Sequence, residues 1–263
     1  MTENTARNLY ESCPLCSSSN FVESKRGDCS QHALYIPKIP AEIIWLNCKD
    51  CGHEFTNGYF TDEIAGEIFQ KTQPSQRVGY DAERQRVITS RIVSRIAEHV
   101  PPPGAWLDVG FGNGAVLFSA QEWGYEPVGI DLRESEVTAL ASVGIESHCA
   151  DIATLNQNER FTVISMADVL EHMPFPKNGL LAARRLLKPD GALFVSMPNA
   201  EIAAWRLLDA NNINPYYGEL EHFHNFSKSR LYQLLESCGL EPVNYAVSER
   251  YRLGMEVLAR VKQ

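Results

Sequence analysis

The stretch WLDVGFGNGAVL, Trp106 to Leu117, places an apolar run and an acid ahead of three glycines at alternate positions, Gly110, Gly112 and Gly114. Glycine has no Cβ, so it reaches backbone conformations closed to other residues and lets a ligand approach the main chain, at a cost in backbone entropy. Three glycines in five residues after a strand-like run predict a binding turn. Around it the text alternates strand and helix signals: AVLFSAQEWG, PVGIDL, ESEVTALASVG, IESHCAD, FTVISMAD, GLLAARRLLKPDG and ALFVSMP, with Gly124 and Gly144 stopping the first two helices. Such alternation predicts a parallel, doubly wound α/β sheet with right-handed crossovers, whose ligands sit at the carboxyl ends of the strands. The closing passage LEPVNYAVSERYRLGMEVLARVKQ reads as two further strands around Gly254.

The chain of 263 residues is long enough for one principal domain and one accessory. Its net charge of -9, with no Lys/Arg block, excludes the electrostatic footprint of a phosphate-backbone binder. No stretch approaches the roughly 20 apolar residues of a membrane helix, and MTENTARNLYES lacks the apolar core of a signal peptide, so a cytoplasmic protein is expected. Seven cysteines are too few for a disulfide scaffold, and four form two tight pairs: Cys13 and Cys16 in CPLC, Cys48 and Cys51 in CKDCGH. Two such knuckles brought together give four thiolates at the corners of a tetrahedron, the arrangement of structural zinc. A redox pair is the weaker alternative, since two matched pairs imply a shared ion. Four sulfurs satisfy the metal without His53, and Cys29, Cys149 and Cys238 read as ordinary buried thiols.

These signals divide the chain into a zinc ribbon over 1–60, a helical linker over 61–104 and the α/β core over 105–263. Within the ribbon, ALYIPKIP and AEIIWLN are expected as short strands. In the linker, TDEIAGEIFQ and ERQRVITSRIVSRIAEHV carry helical spacing, and KTQPSQRVGY between them is expected as a loop lying over whatever the core binds.

Two cofactor classes use a glycine turn at that place. Gly110-x-Gly112-x-x-Ala115 loosely matches the dinucleotide fingerprint. Asp108, two residues before the first glycine, separates the two, because a carboxylate there suits a cationic ligand and poorly suits a diphosphate. S-adenosylmethionine has an ammonium, a sulfonium and no phosphate. Asp108, Gly110, Gly112 and Gly114 resemble motif I of the class I S-adenosylmethionine-dependent methyltransferases, D/E-x-G-x-G-x-G. The resemblance implies a Rossmann-like methyltransferase sheet with a terminal antiparallel strand pair. It further implies that Asp131 takes both ribose hydroxyls with Leu132 beside it, that Asp151 and Ile152 meet the adenine, and that Ala167 and Asp168 edge the methionine pocket. For each acid the alternative is a helix N-cap.

The small-molecule acceptor is sought in ADVLEHMPFP and YYGELEHFHNF, which lie where this family places acceptor-facing loops. Transfer to oxygen needs a base near the hydroxyl or a cation that lowers its pKa. His172, His222 and His224, with Glu221 nearby, are the candidates, and Tyr216 and Tyr217 are expected to help close the site. Histidines that merely hydrogen-bond the loops are the alternative. Asp168, Glu171 and His172 also resemble the E-x-x-E-H with a downstream His that binds a divalent ion in small-RNA terminal methyltransferases and ubiquinone-pathway O-methyltransferases, although LEHM recurs in metal-free relatives. The resemblance favours a hydroxyl of a sugar, nucleotide-linked sugar or similar metabolite. Sugar C-methyltransferases with an N-terminal zinc ribbon usually carry a further C-terminal domain, which is not expected here. A ribbon binding module with a vestigial fold would be expected to have lost motif positions, and a nucleic-acid methyltransferase would carry Asn-Pro-Pro-Tyr where this chain has MADVLE.

Overall fold

The computed structural model describes residues 6–250 and 253–262. Positions 1–5 of the expected ribbon, 251–252 within the terminal strand pair and 263 at the end of the expected core lie outside the described residues. Five short strands come first: β1 (Arg7–Leu9), β2 (Phe21–Asp28), β3 (Glu42–Cys48), β4 (Glu54–Thr56) and β5 (Gly58–Phe60). β2, β3 and β4 form an antiparallel sheet, and β1 pairs with β5. AEIIWLN is the middle strand, burying Ile43 and Trp45 at alternate positions. ALYIPKIP, expected as a strand, runs instead through turns. Pro37 and Pro40 remove main-chain donors a ladder would need, and Leu34, Ile36 and Ile39 pack as a plug with Trp45 and Phe60. The second strand of the ribbon is FVESKRGD, an edge strand whose residues are mostly solvent-facing, so it carries no apolar alternation.

Helices α1 (Asp62–Phe69) and α2 (Ala82–Ala97) follow, α2 burying Ile92, Val93 and Ile96. The segment between them crosses the glycine turn as a strap. Gly79 N donates to Asn113 O at 3.0 Å, and Asn113 Nδ2 donates to Ser75 O at 3.3 Å. Gln70 Nε2 donates to Leu132 O at 2.7 Å, tying the start of the strap to the neighbouring strand end.

The core contains β6 (Ala105–Val109), α3 (Ala115–Glu122), β7 (Glu126–Asp131), α4 (Glu134–Ser142), β8 (Glu146–Cys149), β9 (Phe161–Ala167), α5 (Pro176–Leu186), β10 (Leu187–Pro198) and α6 (Ala203–Ala210). It is completed by the two-residue β11 (His224–Asn225), α7 (Lys228–Ser237), β12 (Leu240–Val247) and β13 (Gly254–Val261). Seven strands make the main sheet in the order β8-β7-β6-β9-β10-β13-β12. The first five are parallel, and β13 and β12 add the expected antiparallel pair. Strand order reverses between β6 and β9, which opens a crevice at their carboxyl ends. Cys149, expected to be buried, is exposed at the end of edge strand β8.

β11 does not join the main sheet. It pairs antiparallel with β4, so the loop that follows β10 supplies a fourth strand to the ribbon sheet. The ribbon closes tightly on that loop. Trp45 Nε1 donates to Tyr217 O at 3.0 Å, and a Cβ on Gly27 would overlap the same carbonyl. Gly27→Ala is therefore expected to cost about 1–3 kcal/mol by overpacking. Gly66→Ala, in the exposed interior of α1 with no atom near the new methyl, should add roughly 0.5–1 kcal/mol. Urea unfolding of the two variants should give shifts of opposite sign, and a neutral Gly27→Ala would contradict the tight ribbon contact.

Candidate active site

The crevice is a cavity of about 1130 Å³ that runs from the end of β7, past the glycine turn, to the 215–223 segment. Gly110, Gly112 and Gly114 all have left-handed backbone, with φ of 62°, 55° and 77°. Gly110 and Gly112 line the cavity, and at Gly112 only the Gly110 carbonyl comes within 4 Å of where a Cβ would stand. Gly114 faces inward: a Cβ there would press on Phe118 and Leu140, so it serves the packing of α3.

Asp108 lies beneath the turn, 2 % exposed, and accepts from Ser165 Oγ at 2.5 Å, which in turn accepts from Trp106 Nε1 at 2.8 Å. Burial pushes its carboxyl up to about 7, against the pull of the Ser165 bond and the Arg250 charge. Asp131 ends β7 with both oxygens held by Arg133, whose Nε and Nη2 donate at 2.8 and 2.6 Å. Leu132, Asp151 and Ile152 line the cavity beside it. Asp151 is also an N-cap, accepting from Ala153 N at 2.7 Å, so the capping alternative and the cavity-lining expectation hold together. Ala167 and Asp168 edge the cavity at the end of β9. Asp168 accepts from Ser196 Oγ at 3.2 Å and stands 3.3 Å from Arg250 Nη1, and burial lifts it to about 6.

The acceptor end departs from the expected set. Ligand atoms of Glu171, His172 and His222 lie within 4.8 Å of one another, whereas Asp168 is turned away to Ser196 and Arg250. The ligand atoms that the fold draws together are thus those of Glu171, His172 and His222, with Asp168 outside the group. Glu171 is 1 % exposed, and neither carboxylate oxygen has a hydrogen-bond partner among the described residues. Burial, then the neighbouring Asp168 charge, hold its carboxyl well above the usual carboxylate range. His172 donates from Nδ1 to Glu221 O at 3.0 Å, which leaves Nε2 as a lone-pair donor. The His222 ring stands edge-on to it at 4.8 Å, with Nδ1 unpartnered among the described residues. Burial, then His172, push the His222 imidazole well below its ordinary range.

His224, expected with the acceptor-facing histidines, is outside the cavity lining and 1 % exposed. Its Nε2 donates to Met173 O at 2.9 Å and its Nδ1 lies 3.0 Å from His53 Nε2. Both nitrogens are taken, so it is a hydrogen-bonder between segments. Glu221 and Tyr216 line the cavity, the latter stacked on Trp205 at 4.6 Å, while Tyr217 is buried behind them and donates to Asp209 Oδ2 at 3.1 Å. Arg133 and Arg250, both facing the site, had no sequence signal, being single basic residues at the N-cap of α4 and in a bend.

In the ribbon, Cys13 and Cys51 sulfurs are 3.7 Å apart and those of Cys16 and Cys48 are 3.6 Å apart, with all four ligand atoms within 4.8 Å. Tetrahedral Zn–S bonds of about 2.3 Å put sulfurs roughly 3.8 Å apart, so the spacing fits one ion and no disulfide.

A family model described as a methyltransferase domain matches residues 80–245. A ubiquinone biosynthesis O-methyltransferase of Idiomarina loihiensis is 30 % identical over 149 residues, covering 52 % of this chain and 61 % of that protein. One of the same name from Pasteurella multocida is 29 % identical over 119 residues, covering 39 % and 49 %. The chain thus matches about half to three-fifths of the length of these relatives. Among solved structures, the 1,6-didemethyltoxoflavin-N1-methyltransferase of Burkholderia thailandensis, which holds S-adenosylhomocysteine, superposes with TM-score 0.55 at 18 % identity, covering 70 % of this chain and 83 % of that one. The chain belongs to the methyltransferase domain family and has the class I S-adenosylmethionine-dependent methyltransferase fold.

Proposed function

We propose that this protein transfers the methyl group of S-adenosylmethionine to a hydroxyl of a small molecule, at a site where Glu171, His172 and His222 hold a divalent cation. The observation that carries the reading is Glu171. A carboxyl buried with no hydrogen bond is costly, and two imidazoles converging on it turn that cost into a ligand set. Carboxylate plus imidazole suits a hard or borderline divalent ion. When bound, such an ion lowers the pKa of a coordinated hydroxyl and orients it. Names of relatives at about 30 % identity point to oxygen as acceptor, with sugar-type and ring hydroxyls alike within the proposal.

The cofactor is assigned to the other half of the cavity. Asp131 would accept from the ribose hydroxyls once Arg133 moves aside, Leu132, Asp151 and Ile152 would meet the adenine, and Asp108, Ala167 and Asp168 would face the methionine end. The hydroxyl oxygen would attack the methyl carbon in line, with the S–CH3 bond breaking as O–CH3 forms, and the hydroxyl proton would leave to solvent, because the His172 Nε2 lone pair is committed to the cation. His172 fits the ligand role because Nδ1–H is fixed on the Glu221 carbonyl, which leaves Nε2 for the cation. Tyr216 and the 70–81 strap cover the cavity against water. Cys13, Cys16, Cys48 and Cys51 are assigned a structural zinc, whose reduced thiolates suit a cytoplasmic setting.

Glu171→Gln and His222→Ala should each lower methyl transfer at least a hundredfold, in a panel of hydroxylated acceptors with labelled cofactor, while cofactor affinity stays within about twofold. Metal analysis of the wild type should return one tightly held zinc, with activity restored after mild chelation by Mg2+ or Mn2+. Full activity in the chelated protein would leave His172 acting as a metal-free base and overturn the cation reading.

Asp108 supplies a separate test. Its proton persists to near pH 7, whereas a cationic cofactor favours the ionised carboxylate, so binding must expel that proton at lower pH. Affinity for S-adenosylmethionine should therefore rise about fivefold between pH 6 and 7, about twofold more by pH 8, and level off above. Asp108→Asn should bind more weakly with a shallower profile, Asp168 keeping its own titration near 6. An unchanged pH slope in that variant would assign the proton elsewhere.

A further inference from the structure

We propose that the cysteine ribbon is a positioning element of the active site, holding the Glu171, His172 and His222 cluster in register through His53 and His224. The inference rests on the cation reading of that cluster for its consequence, and on main-chain geometry for its substance. The cluster comes from two short segments that belong to no strand of the main sheet. Three hydrogen bonds cross between them: Phe223 N to Glu171 O at 2.8 Å, His172 Nδ1 to Glu221 O at 3.0 Å, and His224 Nε2 to Met173 O at 2.9 Å. The ribbon grips the second segment from the other side. Thr56 N donates to Phe223 O at 2.9 Å, and β4 pairs with β11.

The histidine pair completes this clamp, and its proton pattern follows from the acceptors. The Met173 carbonyl can only accept, so His224 carries its hydrogen on Nε2 and presents Nδ1 as an acceptor. His53 must then donate from Nε2 across the 3.0 Å contact. His53 follows directly on the second knuckle, Cys48-Lys49-Asp50-Cys51-Gly52-His53, and is fully buried against Phe55, His224 and Phe226. A continuous path therefore runs from the cysteine turn through His53 and His224 to the main chain beside His172 and two residues from His222. Partners behind a metal's ligands fix their orientation, and their loss typically costs 10–100-fold in metal affinity.

The test uses the full chain with its ribbon metal in place. His53→Leu keeps volume and removes the donor, whereas His53→Gln restores an N–H at the Nε2 position. Mn2+ affinity, read from the electron paramagnetic resonance of free Mn2+, should fall about tenfold or more in His53→Leu and return to within about threefold of wild type in His53→Gln. Zinc content and S-adenosylmethionine affinity should stay unchanged. Hydrogen exchange should quicken in 170–175 and 219–226 of His53→Leu and remain slow in 105–114. Unchanged Mn2+ affinity in His53→Leu would overturn the proposal, as would equal loss in both variants accompanied by faster exchange at 105–114. If the wild type takes up no Mn2+, the cation reading fails, and the exchange pattern alone decides the coupling: selective quickening upholds it and no quickening ends it.

Discussion

Glu171 sets the terms for the end of the cavity proposed to take the acceptor. Neither oxygen of its buried side chain has a hydrogen-bond partner among the described residues, yet its carbonyl is one of the rungs that join 171–173 to 221–224. The main chain thus holds the carboxyl, almost fully buried in the cavity wall, where a proton or a cation must answer its charge. With two imidazoles converging on the same point, the arrangement is a poor way to stabilise a fold and a reasonable way to hold an ion. The surrounding ring contacts, His172 against His222 and His53 against His224, keep these groups from swinging out to water.

The two halves of the cavity are built on different principles. The cofactor half follows from the sheet itself: strand order reverses between β6 and β9, the glycine turn ends β6, and the acids close the neighbouring strands. The acceptor half has no strand of the main sheet beneath it. It is assembled from loops after β9 and β10, and loops need an external frame. The ribbon supplies that frame by taking β11 as its fourth strand and by seating Trp45 and Gly27 on the Tyr217 carbonyl.

The sequence made the cofactor half legible because its constraints are local. A glycine that must adopt positive φ, or an acid at a strand end, is visible in one short string. The cysteine pairs were legible for the same reason, since two C-x-x-C turns carry the spacing of their ligands. The acceptor half was only partly legible. His172 and His222 were singled out as residue types, but choosing His222 over Asp168 as companion of Glu171 depends on a left-handed turn at Asp168, φ 58°, that aims its carboxylate at Ser196 and Arg250. His224 resembled His222 in every local respect, and its distant partners, His53 and the Met173 carbonyl, distinguish them. β2 escaped notice because an edge strand with a solvated surface has no apolar period, and β11 because a two-residue pairing has no period at all.

The proposed ion-binding site of Glu171, His172 and His222 beside the cofactor pocket is open to diffraction from crystals grown with S-adenosylhomocysteine and Mn2+, collected at the manganese edge. An anomalous peak is expected at bonding distance, roughly 2.0–2.3 Å, from a Glu171 oxygen and a nitrogen of each histidine. A cofactor-filled crystal with no manganese peak there, or with Glu171 bonded to protein or water alone, would contradict it.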